Sequence, residues 1–202
     1  MPESVALGMP GVDIASGDHL CAFYHGSPQR NDILYPFLVA GLTAGDKVFC
    51  AVDTTEPKDV LHALEDDVDL AECLERRQLD VQRSLETYLP DGGFSTEAMI
   101  DFWDDTIGGA LAAGFPFARA VGEMTWAMTR LIGPIQLVGY ESALNRFLSR
   151  YPQVILCLYD LDGVSGELLI DLLRTHPRVL LGGVVHHNPY YVPPDEFVAS
   201  RQ

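Results

Sequence analysis

The sequence predicts a three-layer α/β fold, a mainly parallel sheet with helices on both faces. Three observations lead there. Short apolar runs alternate with segments of helical period along nearly the whole chain. Several of the runs, such as Val154 to Tyr159, are apolar at every position, as strands covered on both sides are. The chain has 202 residues, 48% of them hydrophobic and 21% charged, which suits one domain with a sizeable core.

The first run, residues 19–24 (HLCAFY), reads as a strand that ends in the turn signal His25-Gly-Ser-Pro. From Asn31, the residues Ile33, Leu34, Phe37, Leu38, Gly41 and Leu42 keep a helical period up to Ala-Gly-Asp. Val48 to Val52 is a buried strand, and in the following Asp53-Thr-Thr-Glu-Pro, Thr55 is placed to cap a helix with Pro57 in its first turn. Next come helices from Lys58 to about Asp66 and on to Arg76, and the alternating strand Leu79 to Ser84. A helix over 95–113 then aligns Met99, Ile100, Trp103, Ile107 and Leu111. The second half gives a strand at 117–124, a helix at 136–151, a strand at 154–159, a helix at 165–175 and a strand at 178–185. Pro193-Pro194 is expected to end regular structure and hold the tail extended. With no repeat, low-complexity tract or linker, the division is an extension at 1–17, a single domain at 18–197 and a tail at 198–202.

The charge excludes one large class of function. Asp and Glu number 29 against 13 Lys and Arg, a net charge of −16, so no general grip on nucleic acid is expected. Residues 54–105 carry most of that excess, with fifteen acids against four bases, and read as a solvated face. The four cysteines, Cys21, Cys50, Cys73 and Cys157, are widely spaced and expected to be reduced. The first residues lack a basic and then apolar leader pattern, and no stretch of about 18 apolar residues occurs. A cytoplasmic chain without a membrane partner is the expectation.

In sheets of this kind ligands bind beyond the carboxyl ends of the strands. Those ends carry His25, Asp53, Glu123 with Trp126, Tyr159 with Asp160 and Asp162, and His186-His187-Asn188. The expected site is a ring-lined crevice with two carboxylates, built from Tyr24, His25, Arg119, Glu123, Trp126, Tyr159 and Asp160, and suited to a small, partly apolar or cationic ligand. A second group comprises His19, Cys21, Asp53, Tyr140, Glu141, Asn145, Cys157, His176, Asn188 and Tyr190. The loop read at 25–32 has one Gly, no Lys and a Pro without an N–H; the only lysines are Lys47 and Lys58, so it is at best a degenerate phosphate-binding loop. No G-x-G-x-x-G, H-E-x-x-H or G-x-S-x-G occurs. The expectation is therefore no catalytic residue, no cofactor and no metal. His19 and Cys21, at i and i+2, are the one close His/Cys pair, and further ligands such as Cys157 would have to come from elsewhere.

Six segments in order carry a resemblance: Asp18-His-Leu-Cys-Ala-Phe-Tyr24, the Gly-Phe-x-x-x-Arg119 step into Gly122-Glu-Met-Thr-Trp126, Tyr140-Glu141 with Asn145, Cys157-Leu-Tyr-Asp160, His176-Pro177, and Asn188-Pro-Tyr-Tyr-Val-Pro-Pro194. Together they resemble the MEDS family, the methanogen/methylotroph sensory domain, over about residues 18–197. The resemblance implies a prokaryotic sensory domain, distantly RecA-like, proposed to sense small hydrocarbon derivatives and found alone or joined to histidine kinases or DNA-binding modules. Read so, this chain binds a small-molecule ligand without turnover and acts in trans on a regulatory protein such as a kinase or transcription regulator. The other readings are a nucleotide binder without hydrolysis and a ligand-free interaction module docking through its acidic face. Exposed Tyr and Trp near the crevice are taken to suit a homodimer.

Overall fold

The computed structural model describes residues 4–9, 12–90 and 92–199. Parts of the outer segments, residues 1–3, 10, 11 and 200–202, lie outside the described residues. Elements are numbered along the chain. A two-stranded antiparallel hairpin, β1 (Ser4–Ala6) and β2 (Asp13–Ala15), comes first. Then follow β3 (His19–Tyr24), α1 (Gly26–Ala44), β4 (Lys47–Val52), α2 (Pro57–Leu64), α3 (Leu70–Glu75), β5 (Leu79–Arg83), α4 (Ser84–Tyr88) and α5 (Thr96–Ala112). The second half holds β6 (Ala118–Glu123), a π-helical turn (Ala127–Leu131), α6 (Pro134–Phe147), a 3-10 turn (Leu148–Arg150), β7 (Gln153–Asp160), α7 (Gly166–Thr175), β8 (Arg178–Leu181), β9 (Val184–His187) and α8 (Pro194–Ala199).

The main sheet runs β5-β4-β6-β7-β3-β8-β9, parallel throughout except for β9, which pairs antiparallel with β8. Strands β3, β4 and β6 are buried at every position, because helices cover both faces. One face packs on α1, α2, α3 and the hairpin, through Leu7, Ile14, Leu34, Phe37, Leu38, Val60 and Leu64. The other packs on α4 to α8, through Tyr88, Trp103, Trp126, Tyr140, Leu144, Leu172 and Phe197. Ser95, Asp69 and Ser165 cap α5, α3 and α7 with their side chains. The cap of α2 is Glu56 rather than Thr55, with Pro57 at the first position where its missing N–H costs nothing.

Four expectations are corrected. The run 178–185 is not one strand: Gly182 and Gly183, with φ of 55° and 77°, form a tight turn that only glycine adopts easily, and the chain doubles back as β9. His186 and His187 therefore lie alongside β8, not at the carboxyl rim. Segment 25–32 is not a loop but the cap and first turns of α1, which starts at Gly26 with His25 alone linking it to β3. The tail is not extended, because Pro194 opens α8 with Asp195 and Glu196 in its first turn. Both tryptophans are 1% exposed, which removes the indole argument for a homodimer. Among the described residues no helix is long and apolar enough to cross a membrane.

All four cysteines are free and buried. Burial pushes the thiols of Cys21, Cys50 and Cys157 above their ordinary value, with nearby Glu141 or Glu123 adding to the effect. A thiol reagent such as Ellman's is expected to find none of the four in the native chain within minutes and all four after unfolding in denaturant. A fast native thiol would contradict this burial pattern.

Candidate functional site

The residues expected to line one crevice are split by the two-residue alternation of the strands. In the parallel register, Glu123 lies beside Leu158 and Tyr24 beside Asp160, so the side chains of Tyr24 and Glu123 point to the α1 face. Tyr159 and Trp126 belong to the opposite face. Arg119 sits four residues before Glu123, roughly 13 Å along the strand; there its Nε donates to Asp46 Oδ2 at 2.7 Å and its Nη1 to the Ala6 carbonyl at 2.8 Å. These residues thus form no common crevice.

Glu123 is instead the centre of a closed ionic knot. It is 0% exposed, and Arg30 Nη1 donates to its Oε1 at 2.5 Å. The backbone N–H of Asp53, the N–H of Thr54 at 2.9 Å and the Thr54 hydroxyl at 3.0 Å complete its shell. Arg30 was legible as a core residue, since it extends the buried stripe Ile33, Leu34, Phe37, Leu38 back by one helical turn. At the rim, His25 Nδ1 lies 3.2 Å from Asp162 Oδ1, and Asp160 accepts from the Asp162 N–H at 3.1 Å. The start of α1 therefore faces carboxylates, and the His25 N–H is taken by Gln29 Oε1 at 2.9 Å. A polyphosphate would meet repulsion there. Trp126 stacks on Tyr88, with ring centroids 4.7 Å apart.

The second group of residues does converge, in the interior between the sheet and α6. Register places Cys21 beside Cys157 and Phe23 beside Tyr159, so the odd positions of β3 and β7 share this face. Helix α6 brings Glu141 down on its buried stripe with Leu137, Leu144 and Phe147. The end of α7 supplies His176. Glu141 Oε2 lies 3.2 Å from His19 Nε2 and 3.4 Å from His176 Nε2, and the Cys157 thiol reaches it at 3.6 Å. The Tyr159 hydroxyl donates to Glu141 Oε1. Glu141, His19 and His176 are 0% exposed and Cys157 is 2% exposed.

Around them, Asn145 Nδ2 donates to the carbonyls of Glu141 at 3.1 Å and Thr175 at 2.7 Å, and its Oδ1 faces His19 Nδ1 at 3.2 Å. Asn188 Nδ2 donates to the carbonyls of Leu173 at 2.5 Å and His176 at 2.7 Å, fixing the α7–β8 corner. Tyr140 accepts from Trp103 Nε1 at 2.7 Å in the neighbouring aromatic layer. Tyr190 is 68% exposed and Asp53 touches Glu123 through its backbone, so neither joins the cluster.

The electrostatics are those of one coupled group. Burial pushes the Glu141 carboxyl up, but the charge that the His176 and His19 rings can carry outweighs it and holds it well below the usual carboxylate range. Burial, and then the neighbouring His176, hold His19 below its ordinary value. Burial and the Glu141 charge push the Tyr159 hydroxyl up. His19, Glu141, Cys157 and His176 each offer a ligand atom, all within 4.8 Å of one another, which is the reach of one metal ion.

A feature with no sequence signal is an open groove of about 760 Å³ between α6 and α7, reached from the segments that follow β6 and β7. Its floor is apolar, with Met128, Ile132, Leu137 and Leu168, and Asp171 and Arg174 stand among its polar lining residues. These residues come from three segments whose approach depends on how α6 and α7 settle on the sheet, which no spacing in the chain reveals.

Strand order and helical layers define a class, a three-layer α/β domain on a mainly parallel seven-stranded sheet. The family model for MEDS, described as the methanogen/methylotroph, DcmR sensory domain, matches residues 18–177, and the chain belongs to that family. It is 28% identical over 180 residues to the transcriptional repressor DcmR of Methylorubrum extorquens, covering 82% of this chain. The chain spans about 60% of the length of that curated relative. Among solved structures, a KaiC-like protein from Pyrococcus horikoshii OT3 matches with a TM-score of 0.65 at 12% identity, over 89% of this chain and 80% of that one. At that identity the likeness carries the fold alone. The family and the repressor relative support a sensory or regulatory role.

Proposed function

We propose that this chain is a non-enzymatic sensor in which a small organic molecule, of the hydrocarbon-derivative class, occupies the groove between α6 and α7 and alters a surface read by a regulatory protein in trans. The observation that carries the reading is that α7 lines the groove with Leu168, Asp171 and Arg174 and ends at His176 in the buried cluster. An occupant that favours one position of α7 over another shifts the whole element, as differential affinity requires. Apolar floor and polar lining suit a partly apolar solute. The nucleotide reading is disfavoured by the one-residue connection into α1 and the carboxylates beside it.

The test is a thermal-shift and calorimetry screen of short-chain alcohols, amines and halogenated alkanes. A compound at a hundred times its Kd should add about 2.7 kcal/mol of stability. Ile135 and Ile170 are 74% and 62% exposed on the lip of the groove, so the pair I135E/I170E should fold normally and lose the response. A response that survives in that pair would move the ligand elsewhere. No response to any compound would remove the sensor reading.

A further inference from the structure

We infer that His19 Nε2, His176 Nε2, Glu141 Oε2 and Cys157 Sγ form a four-coordinate site for a divalent d-block cation of zinc type. The inference stands on the interior cluster and does not depend on what occupies the groove.

The two imidazoles are held by their far nitrogens. His176 Nδ1 lies 2.8 Å from the Leu172 carbonyl, which can only accept, so the proton of an uncharged ring is on Nδ1. The amide of Asn145 is oriented by its two carbonyl partners, so its oxygen faces His19 Nδ1, and the proton of that ring is on Nδ1 as well. Both Nε2 lone pairs then point at a carboxylate oxygen. His176 Nε2 is buried and makes no hydrogen bond. Lone pairs facing an anion inside a protein repel; a proton relieves this at one Nε2 at a time, whereas a single metal ion meets all four donors at once. The ring centroids of His19 and His176 are 4.1 Å apart with the planes tilted by 39°.

The spacing agrees with the chemistry. Metal–nitrogen and metal–sulfur bonds of roughly 2.0 to 2.3 Å put tetrahedral ligand atoms about 3.3 to 3.8 Å apart. Four of the six separations are 3.2 Å for His19–Glu141, 3.4 Å for His176–Glu141, 3.5 Å for His19–Cys157 and 3.6 Å for Cys157–Glu141, and the other two lie within 4.8 Å. Nitrogen, carboxylate and sulfur donors together select zinc-like ions over magnesium or calcium. Four protein ligands close the shell, so the ion is structural or regulatory rather than catalytic. On binding, the Cys157 S–H bond breaks, the metal–sulfur bond forms and one proton leaves to solvent. Glu141 and the thiolate then balance the two charges of the cation, which leaves the buried site neutral.

The full chain, unfolded in denaturant with chelator and refolded with zinc(II) or cobalt(II), is expected to keep one equivalent of metal after desalting. It should release about one proton per metal bound, as thiol ligation requires. The cobalt form should show a thiolate charge-transfer band and tetrahedral visible bands. Cys157→Ser should lose the charge-transfer band, His176→Gln should lose the bound equivalent, and Cys73→Ser, away from the cluster, should retain both. Asn145→Ala, at a positioning residue, should weaken binding by about 10- to 100-fold while leaving the spectrum intact. Wild-type chain that refolds with only trace metal under every cation tried overturns the inference, as does a charge-transfer band that survives in Cys157→Ser. Should a ligand variant fail to fold, the metal content, proton count and cobalt spectrum of the wild type decide alone.

Discussion

Replacing Arg30 with methionine is expected to destabilise the chain by about 3 to 5 kcal/mol, the cost of leaving one member of a buried ion pair alone. Arg30 is 2% exposed and Glu123 is 0% exposed. The carboxylate is locked in place by the N–H groups of Asp53 and Thr54 and cannot swing to water. Adding Glu123→Gln to Arg30→Met should recover much of the loss, because the amide oxygen still accepts from those groups without carrying charge. Urea unfolding of the two single variants and the double would measure the coupling. A loss under 1 kcal/mol in Arg30→Met would mean that the knot is open to solvent.

Gly122→Ala should be nearly as damaging, and its cause can be isolated. A methyl group there would meet the Tyr88 hydroxyl oxygen at 2.4 Å, well inside contact, whereas its next neighbours, the Tyr88 ring and Met124 Sδ, lie at 3.5 and 3.6 Å. Tyr88 cannot retreat, being 3% exposed and stacked on Trp126. Overpacking of this kind costs about 1 to 3 kcal/mol. Tyr88→Phe removes the one clashing atom, so Gly122→Ala in that background should be close to neutral. If the methyl costs the same with and without the hydroxyl, the clash is not the cause.

Much of the fold was legible because it follows from burial. Strands covered on both faces are mostly apolar, and Val48 to Val52 and Val154 to Tyr159 announce themselves in that way. The edge was harder: Gly182-Gly183 sits inside an apolar run, and only the backbone sign at those two residues turns one strand into two. The short hairpin at the start has three residues per strand, too few for any alternation to show. For the site, the rule that ligands gather at carboxyl ends of strands named residues by position along a strand and ignored the face to which each side chain points. That is why Tyr24 and Tyr159, one register step apart, end in different cores. The interior cluster was half visible, as His19 with Cys21 on one face, but its other members arrive from a strand and two helices whose neighbours are set by sheet order. Glu141 left a trace, an acid on the apolar stripe of its own helix, as Arg30 did on α1.

The place of β3 in the sheet also bears on how the chain reaches its native state. Its two neighbours, β7 and β8, are both made in the last quarter of the sequence. During synthesis the apolar segment HLCAFY therefore has neither of its hydrogen-bonding partners until the chain has been extended through α6 to β7 and β8. Contacts of such long sequence separation close slowly, and an unpaired central strand is the kind of surface that chaperones shield.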